Sequence, residues 1–198
     1  LLTHKSGKLN TIDVITNTLQ ELGYEVNLDV LNSSDFKVPQ IRKRVYLVGF
    51  LKKYFKRPTE FRFPNPKKEK VFVNSILEKN VNGYEISKHL QKTYIYKKDD
   101  GRPLVVNRNS KTLSKTLVST YHKIQRLTST FVEDGKTGLR LLTENECKKL
   151  MGFPDNFKIP VSRTQMYRQL GNAVVVPVVK ELSKEVLKVL SNIYLIKK

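Results

Sequence analysis

Val45-Tyr46-Leu47-Val48-Gly49-Phe50 is the stretch that decides the fold class. It is a continuous apolar run, too short for a core helix, and it reads as a strand buried on both faces. Upstream, Tyr24-Glu25-Val26-Asn27-Leu28-Asp29-Val30 alternates apolar and polar, the pattern of a half-buried strand. Before that, Ile12, Ile15, Leu19 and Leu22 recur at spacings of 3, 4 and 3, one face of a helix. Asn10 or Thr11 can cap this helix, Asp13 suits its first turn, and Gly23 is a natural stop. Helix, strand, polar loop and buried strand make one piece of an α/β sheet. Two strands and one helix do not close a core, so the piece calls for more sheet and another covering helix.

Working outward, residues 51–139 change character. Pro58, Pro64, Pro66 and Pro103 punctuate a segment rich in Lys, Arg, Asn, Ser and Thr. Short strand-like pieces (Val71-Phe72-Val73, Thr93-Tyr94-Ile95-Tyr96, Leu104-Val105-Val106, Thr130-Phe131-Val132) are separated by turn signals such as Asp99-Asp100-Gly101. Only residues 73–90 suit a short helix or two. The segment reads as a small, irregular, β-rich module. Residues 140–198 read as helical. Thr143-Glu144-Asn145-Glu146 is a capping box, with Leu142 and Cys147 as its hydrophobic staple. Ser162-Arg163-Thr164-Gln165 repeats the device with Val161 and Met166, and Gly171 is the expected stop. A last helix starts near Pro177 and carries the apolar stripe Val178, Leu182, Val186, Val189, Ile193, Ile196, which must dock on a sheet or another helix.

Composition narrows the function. The 198 residues suit one domain, or one and a half. Charged residues make up 28% of the chain, 37 basic against 18 acidic, a net charge of +19. Residues 1–50 carry +1, residues 51–139 carry +12 and residues 140–198 carry +6. A uniformly Lys-rich composition would spread the excess evenly, so the middle segment is expected to face a polyanion, most often nucleic acid. No apolar run approaches the roughly 20 residues of a membrane span, and no secretory signal pattern is visible. A single cysteine, Cys147, excludes a disulfide framework and a cysteine-based zinc site. The scattered His4, His89 and His122 argue against a histidine metal cluster, so no metal is expected.

Few side chains then remain as chemistry. Cys147 and Glu146 are fully explained as staple and capping-box acid. Arg42 and Arg44, two apart at a strand start after Gln40, point the same way and can hold a carbonyl or phosphate oxygen bidentately; a solvated basic loop is the plainer reading. Gly171 lets the backbone turn between two helices, and Asn172 beside it can bind a carboxylate or an adenosyl group; a plain helix corner explains the same residues. In the middle module Arg102, Asn107, Arg108, Asn109, Lys111, Lys115, Lys123 and Arg126 are interleaved with Tyr121 and His122, residue types that read base edges and grip phosphates.

Together these pieces resemble the DNA (cytosine-5)-methyltransferase family. The stretch from Val38 through Gln40, Arg42 and Arg44 to Phe50 resembles its motif VIII. Arg140 to Glu146, followed by Leu150-Met151-Gly152-Phe153-Pro154-Asp155, resembles motif IX. Gln165 to Val178, with Gly171-Asn172-Ala173-Val174 at its centre, resembles motif X. Between VIII and IX the family places its target-recognition domain, and Thr116-Leu117 is similar to a Thr-Leu element common there. The Gly-rich cofactor loop, the Pro-Cys nucleophile loop and the Glu-Asn-Val motif do not occur in this sequence. The opening Leu1-Leu2-Thr3-His4, which does not start with Met, is similar to residues that directly follow Glu-Asn-Val. The chain thus resembles the C-terminal half of the enzyme, cut between motifs VI and VII.

The resemblance implies an α/β fold: part of a Rossmann-like methyltransferase sheet (1–50), a β-rich target-recognition domain (51–139) and a helical segment returning to the catalytic domain (140–198). It implies methyl transfer from S-adenosylmethionine to C5 of a cytosine flipped out of double-stranded DNA, after a cysteine thiolate adds at C6. 

The implied setting is restriction-modification in a prokaryotic cytoplasm, with no membrane partner. Catalytic roles fall to Arg44, whose guanidinium would bind the flipped cytosine O2, to Arg42, which would support the loop or a phosphate, and to Gln40, which would shape it. Asn172, Ala173 and Val174 would close the cofactor pocket. Arg102, Asn107, Arg108, Lys111, Lys115, Thr116, Leu117, Tyr121, His122 and Lys123 would contact DNA. The N-terminal half, in the same polypeptide or as a separate subunit, would supply the nucleophile, and the chain would be inactive without it. The alternatives are a natural non-catalytic subunit of a two-chain methyltransferase and a non-enzymatic nucleic-acid-binding regulator.

Overall fold

The computed structural model describes residues 5, 6 and 9–196, with side-chain surroundings for 10–191. Leu1-Leu2-Thr3-His4 and the side chains of Ile193 and Ile196 lie outside the described residues. The chain is mixed α/β with small sheets. It divides into two compact units: residues 1–31, 43–65 and 180–198 form one, and 32–42 with 66–179 form the other. Compactness therefore partitions the chain differently from its motifs, because 32–42 and 140–179 pack with the middle segment.

In the first unit, β1 (Lys5–Ser6) and β2 (Leu9–Asn10) pair antiparallel ahead of α1 (Thr11–Glu21). Asn10 stands at the N-cap, but its amide donates to the Asp13 carboxylate (3.0 Å) instead of capping the backbone. The helix ends before Gly23, whose φ of +89° suits a residue without Cβ. β3 (Tyr24–Asn32) pairs with β4 (Lys43–Leu51). Bonds from Lys52 N–H to the Gly23 carbonyl and from Ser33 N–H to the Arg42 carbonyl bracket the pair and make it antiparallel.

Two expectations change here. Val45 to Val48 are half-buried, not buried on both faces, and only Phe50 is fully covered, by Phe55 and Phe61 at ring distances of 5.6 and 5.5 Å. A two-stranded sheet has two edges and too few strands to carry a layer over each face. The apolar face of α1 is likewise left partly open, with Ile12 buried but Ile15 37% and Leu22 64% exposed. The long C-terminal helix α5 (Val176–Ile196) buries Val178 fully, and its stripe residues Leu182, Val186 and Val189 only by half.

The second unit holds a denser core of Ile86, Ile95, Leu117, Phe131, Leu142, Leu150, Met151, Met166 and Tyr167. β5 (Leu104–Val106) and β6 (Thr130–Val132) pair in parallel, with Leu104 opposite Thr130 and Val106 opposite Val132. Thr93–Tyr96 is not a strand. A short helix α2 (Lys88–Leu90), capped by Ser87, runs on as a wide helical turn through Gln91–Ile95. Its aromatic and β-branched residues favour strand, but Thr93 Oγ1 donates to the His89 carbonyl and Tyr96 N–H to the Gln91 carbonyl, so local bonds win. Val71-Phe72-Val73 is also not a strand, because Val73 opens a single tight turn, Val73–Ile76.

α3 (Glu144–Met151) carries the expected capping box, with both reciprocal bonds between Thr143 and Glu146. It stops at Gly152, where φ is +72° and an added Cβ would lie 2.7 Å from Pro177 Cγ. α4 (Arg163–Asn172) has half of that device. The Ser162 hydroxyl accepts from Gln165 N–H at 3.4 Å, without the return bond.

Candidate functional site

Gln40 and Arg42 are buried at the centre of the second unit. The Gln40 amide donates to the Leu150 carbonyl at the end of α3 (2.9 Å) and accepts from Leu117 N–H (2.7 Å). The Arg42 guanidinium donates to the carbonyls of Leu117 (2.8 Å), Gly171 (2.9 Å) and Ala173 (3.1 Å). Thr116 completes the junction by donating to the Ile41 carbonyl at 2.6 Å. Two buried polar side chains thus tie together segments more than a hundred residues apart, chiefly through backbone oxygens.

Gly171 has a different purpose from the turn expected of it. It lies inside α4, and a Cβ there would come 2.6 Å from Ser119 Cα and as close to the Val118–Ser119 backbone. The helix and the 117–119 segment approach so nearly that only hydrogen fits. A glycine free of packing would gain about 1 kcal/mol on Gly171→Ala from helix propensity. Overpacking predicts a loss of about 1–3 kcal/mol instead. Urea unfolding decides by the sign, and a more stable variant would contradict the close approach.

Arg44 parts company with Arg42. The strand begins only at Lys43, so the two residues do not share one face. Arg44 is exposed, and the hydrogen bond described for its guanidinium runs to the neighbouring Lys43 carbonyl (2.8 Å). Among the described residues that is the one bond given for a group with five N–H donors. Asn172 is exposed at the end of α4, Val174 beside it is 58% exposed, and Val175 anchors the turn at 2%. An exposed amide and an exposed apolar side chain stand two residues apart at this corner.

Among the residues expected to meet DNA, Arg102, Arg108, Lys111 and Lys123 are exposed, and Asn107, Lys115, Thr116 and His122 are half-buried. Leu117 and Tyr121 are core residues, each 2% exposed, and as placed they do not offer their side chains to a partner. The Tyr121 hydroxyl donates to the Thr130 carbonyl (2.5 Å) and accepts from Leu142 N–H (3.0 Å), while its ring meets Tyr167 at 5.1 Å. Burial pushes its phenol well above the ordinary range. Asn107 is held by Glu133 (2.9 Å) and Arg108 by the Glu78 carbonyl (2.7 Å).

The largest network escaped the sequence reading. Arg140 and Glu146, both fully buried, form a bidentate pair at 2.8 and 2.9 Å. Arg140 also donates to Asp134 (3.0 Å), and Glu146 accepts from the Glu78 and Thr143 N–H groups, each at 2.8 Å. Burial opposes the Arg140 charge, but the Glu146 and Asp134 carboxylates outweigh it and hold its pKa above the usual arginine value. Glu146 is thus a cap and a counter-ion at once. Its spacing from Thr143 signals the cap, and nothing in the sequence signals the pair. Cys147 next to it is sealed in the core, and burial, then the Glu146 and Glu144 charges, push its thiol well above the ordinary cysteine range.

A family description, C-5 cytosine-specific DNA methylase, matches residues 1–188. The chain belongs to that family. It is 55% identical to the type II methyltransferase M.MspI of Moraxella sp over 186 residues, which cover 94% of this chain and 43% of that protein. It is 51% identical to the type II methyltransferase M.BsuFI of Bacillus subtilis, over 92% of this chain and 44% of that one. The chain thus spans less than half the length of these two relatives. The fold is also that of the Entamoeba histolytica methyltransferase EhMeth, with a TM-score of 0.71, 22% identity and coverage of 89% of this chain and 57% of that one. Enzymes of this family use S-adenosylmethionine.

Proposed function

We propose that this chain is the target-recognition and C-terminal half of a type II cytosine-5 DNA methyltransferase. The observation that carries the reading is the Gln40–Arg42 junction, where the segments resembling motifs VIII and X and the Thr116-Leu117 element are joined through one buried guanidinium. A DNA-binding regulator has no need of an exposed Arg44 in the segment that resembles motif VIII, so the enzyme reading is preferred. Double-stranded DNA is the partner, and the basic segment 51–139 meets it.

Arg44 is assigned to the flipped cytosine. Addition at C6 drives negative charge onto O2, and an exposed guanidinium stabilises that charge where it develops. Arg42 and Gln40 act as positioning residues, because their polar atoms are already engaged by the protein. Asn172 and Val174 form one edge of the cofactor site, and Ala173 gives its carbonyl to Arg42. S-adenosylmethionine supplies the methyl group when bound. The nucleophile comes from another part of the enzyme, since Cys147 is buried and its thiolate is disfavoured. Incubated alone with DNA and tritiated S-adenosylmethionine, this chain is expected to incorporate no label. Incorporation at a rate abolished by Cys147→Ala would overturn the assignment.

A further inference from the structure

The turn at residues 98–102 is gathered by one side chain. Arg126, 7% exposed, donates through Nε to the Ile95 carbonyl (2.8 Å) and through Nη2 to the carbonyls of Lys98 (2.8 Å) and Arg102 (3.0 Å). Nη1 reaches Asp100 Oδ2 at 2.9 Å, and Nη2 also bonds Asp100 Oδ1. The Asp100 carboxylate accepts in addition from Arg102 N–H (3.1 Å). Both ends of the turn and its middle are therefore pinned to one guanidinium, a planar fork that fixes geometry as well as charge. The Arg102 side chain is exposed, and no hydrogen bond or ion pair is described for it. Asp100 is engaged bidentately by Arg126, and Arg102 acts on the same carboxylate only through its N–H and its charge. Lys115 is close enough that, after burial, Arg102 and Arg126 contribute to lowering its pKa.

We propose that Arg126 and Asp100 form a clasp that holds the 98–102 turn so that Arg102 is presented to a base edge in the major groove of DNA. Arg102 is the specificity-determining side chain, and Arg126 and Asp100 are positioning residues. The proposal rests on the reading of 51–139 as the DNA-recognition segment. A phosphate needs only a charge, which a loose lysine supplies. A bidentate contact with a base needs a guanidinium fixed in direction, which is what a pinned turn provides.

The test uses the methyltransferase that contains this chain and a duplex library randomised at eight positions, read by bisulfite sequencing. Wild-type enzyme reports its own site, and a library with no methylated cytosine would reject the methyltransferase reading itself, separately from the clasp. Arg102→Ala is expected to relax discrimination at one base pair by roughly tenfold to a hundredfold. Asp100→Asn, at a partly exposed position, is expected to relax the same base pair by a smaller factor while the melting temperature stays within about 2 °C of wild type. Arg126→Met is expected to follow Asp100→Asn, and if it fails to fold, Asp100→Asn decides alone. An unchanged Asp100→Asn profile would overturn the clasp. An Arg102→Ala loss spread evenly over all sites, with a shallower salt dependence, would make Arg102 a phosphate contact and overturn its reading role.

Discussion

Arg44→Ala is expected to lower kcat for methyl transfer by about a hundredfold to a thousandfold, the cost of removing one preorganised donor from a developing oxyanion. DNA binding should change far less, because Arg44 contributes one charge among the 37 basic residues of the chain. Arg44→Lys should recover only part of the rate, since an ammonium keeps the charge and loses the fork. The substitution is structurally mild, because the side chain is exposed and its described bond is to the adjacent Lys43 carbonyl. Single-turnover methylation in the enzyme that contains this chain measures the effect. A wild-type rate from Arg44→Ala would remove Arg44 from the chemistry.

The second large effect falls on stability. Arg140 and Glu146 are both fully buried, so removing Arg140 leaves Glu146 without its counter-ion and removing Glu146 leaves Arg140 with Asp134 alone. Arg140→Met or Glu146→Leu is expected to cost about 3–5 kcal/mol, or roughly 10 °C in melting temperature for a protein of this size. The double variant should recover a substantial part of that loss, because an apolar pair of similar volume needs no desolvated charge to be paired. Urea unfolding of the four proteins closes the cycle. Additive losses would show that the two side chains do not depend on each other.

Local features were readable from sequence, and long-range ones were not. The Thr143–Glu146 capping box and the sealed Cys147 follow from residues three or four apart, where helix geometry leaves little choice. The motifs brought Gln40, Arg42, Arg44, Gly171 and Asn172 forward as residue types. They did not show that Arg42 turns inward and Arg44 outward, because that depends on carbonyls at Leu117, Gly171 and Ala173. The same limit hid the need for glycine at 171, which comes from the backbone at Val118–Ser119. Thr93–Tyr96 misled because its composition favours strand while local bonds to the His89 and Gln91 carbonyls close a helical turn, and Arg126, far along the chain, then takes the Ile95 carbonyl. The apolar runs at α1 and β4 were identified as elements, but their burial depends on what else covers them.

The most direct measurement is the position of the methyl group. This chain, combined with the nucleophile-bearing part of the enzyme, DNA and S-adenosylmethionine, is expected to yield 5-methylcytosine at one defined duplex sequence by bisulfite sequencing. Methylation at a base other than cytosine, at cytosines regardless of sequence, or at none, would contradict the account.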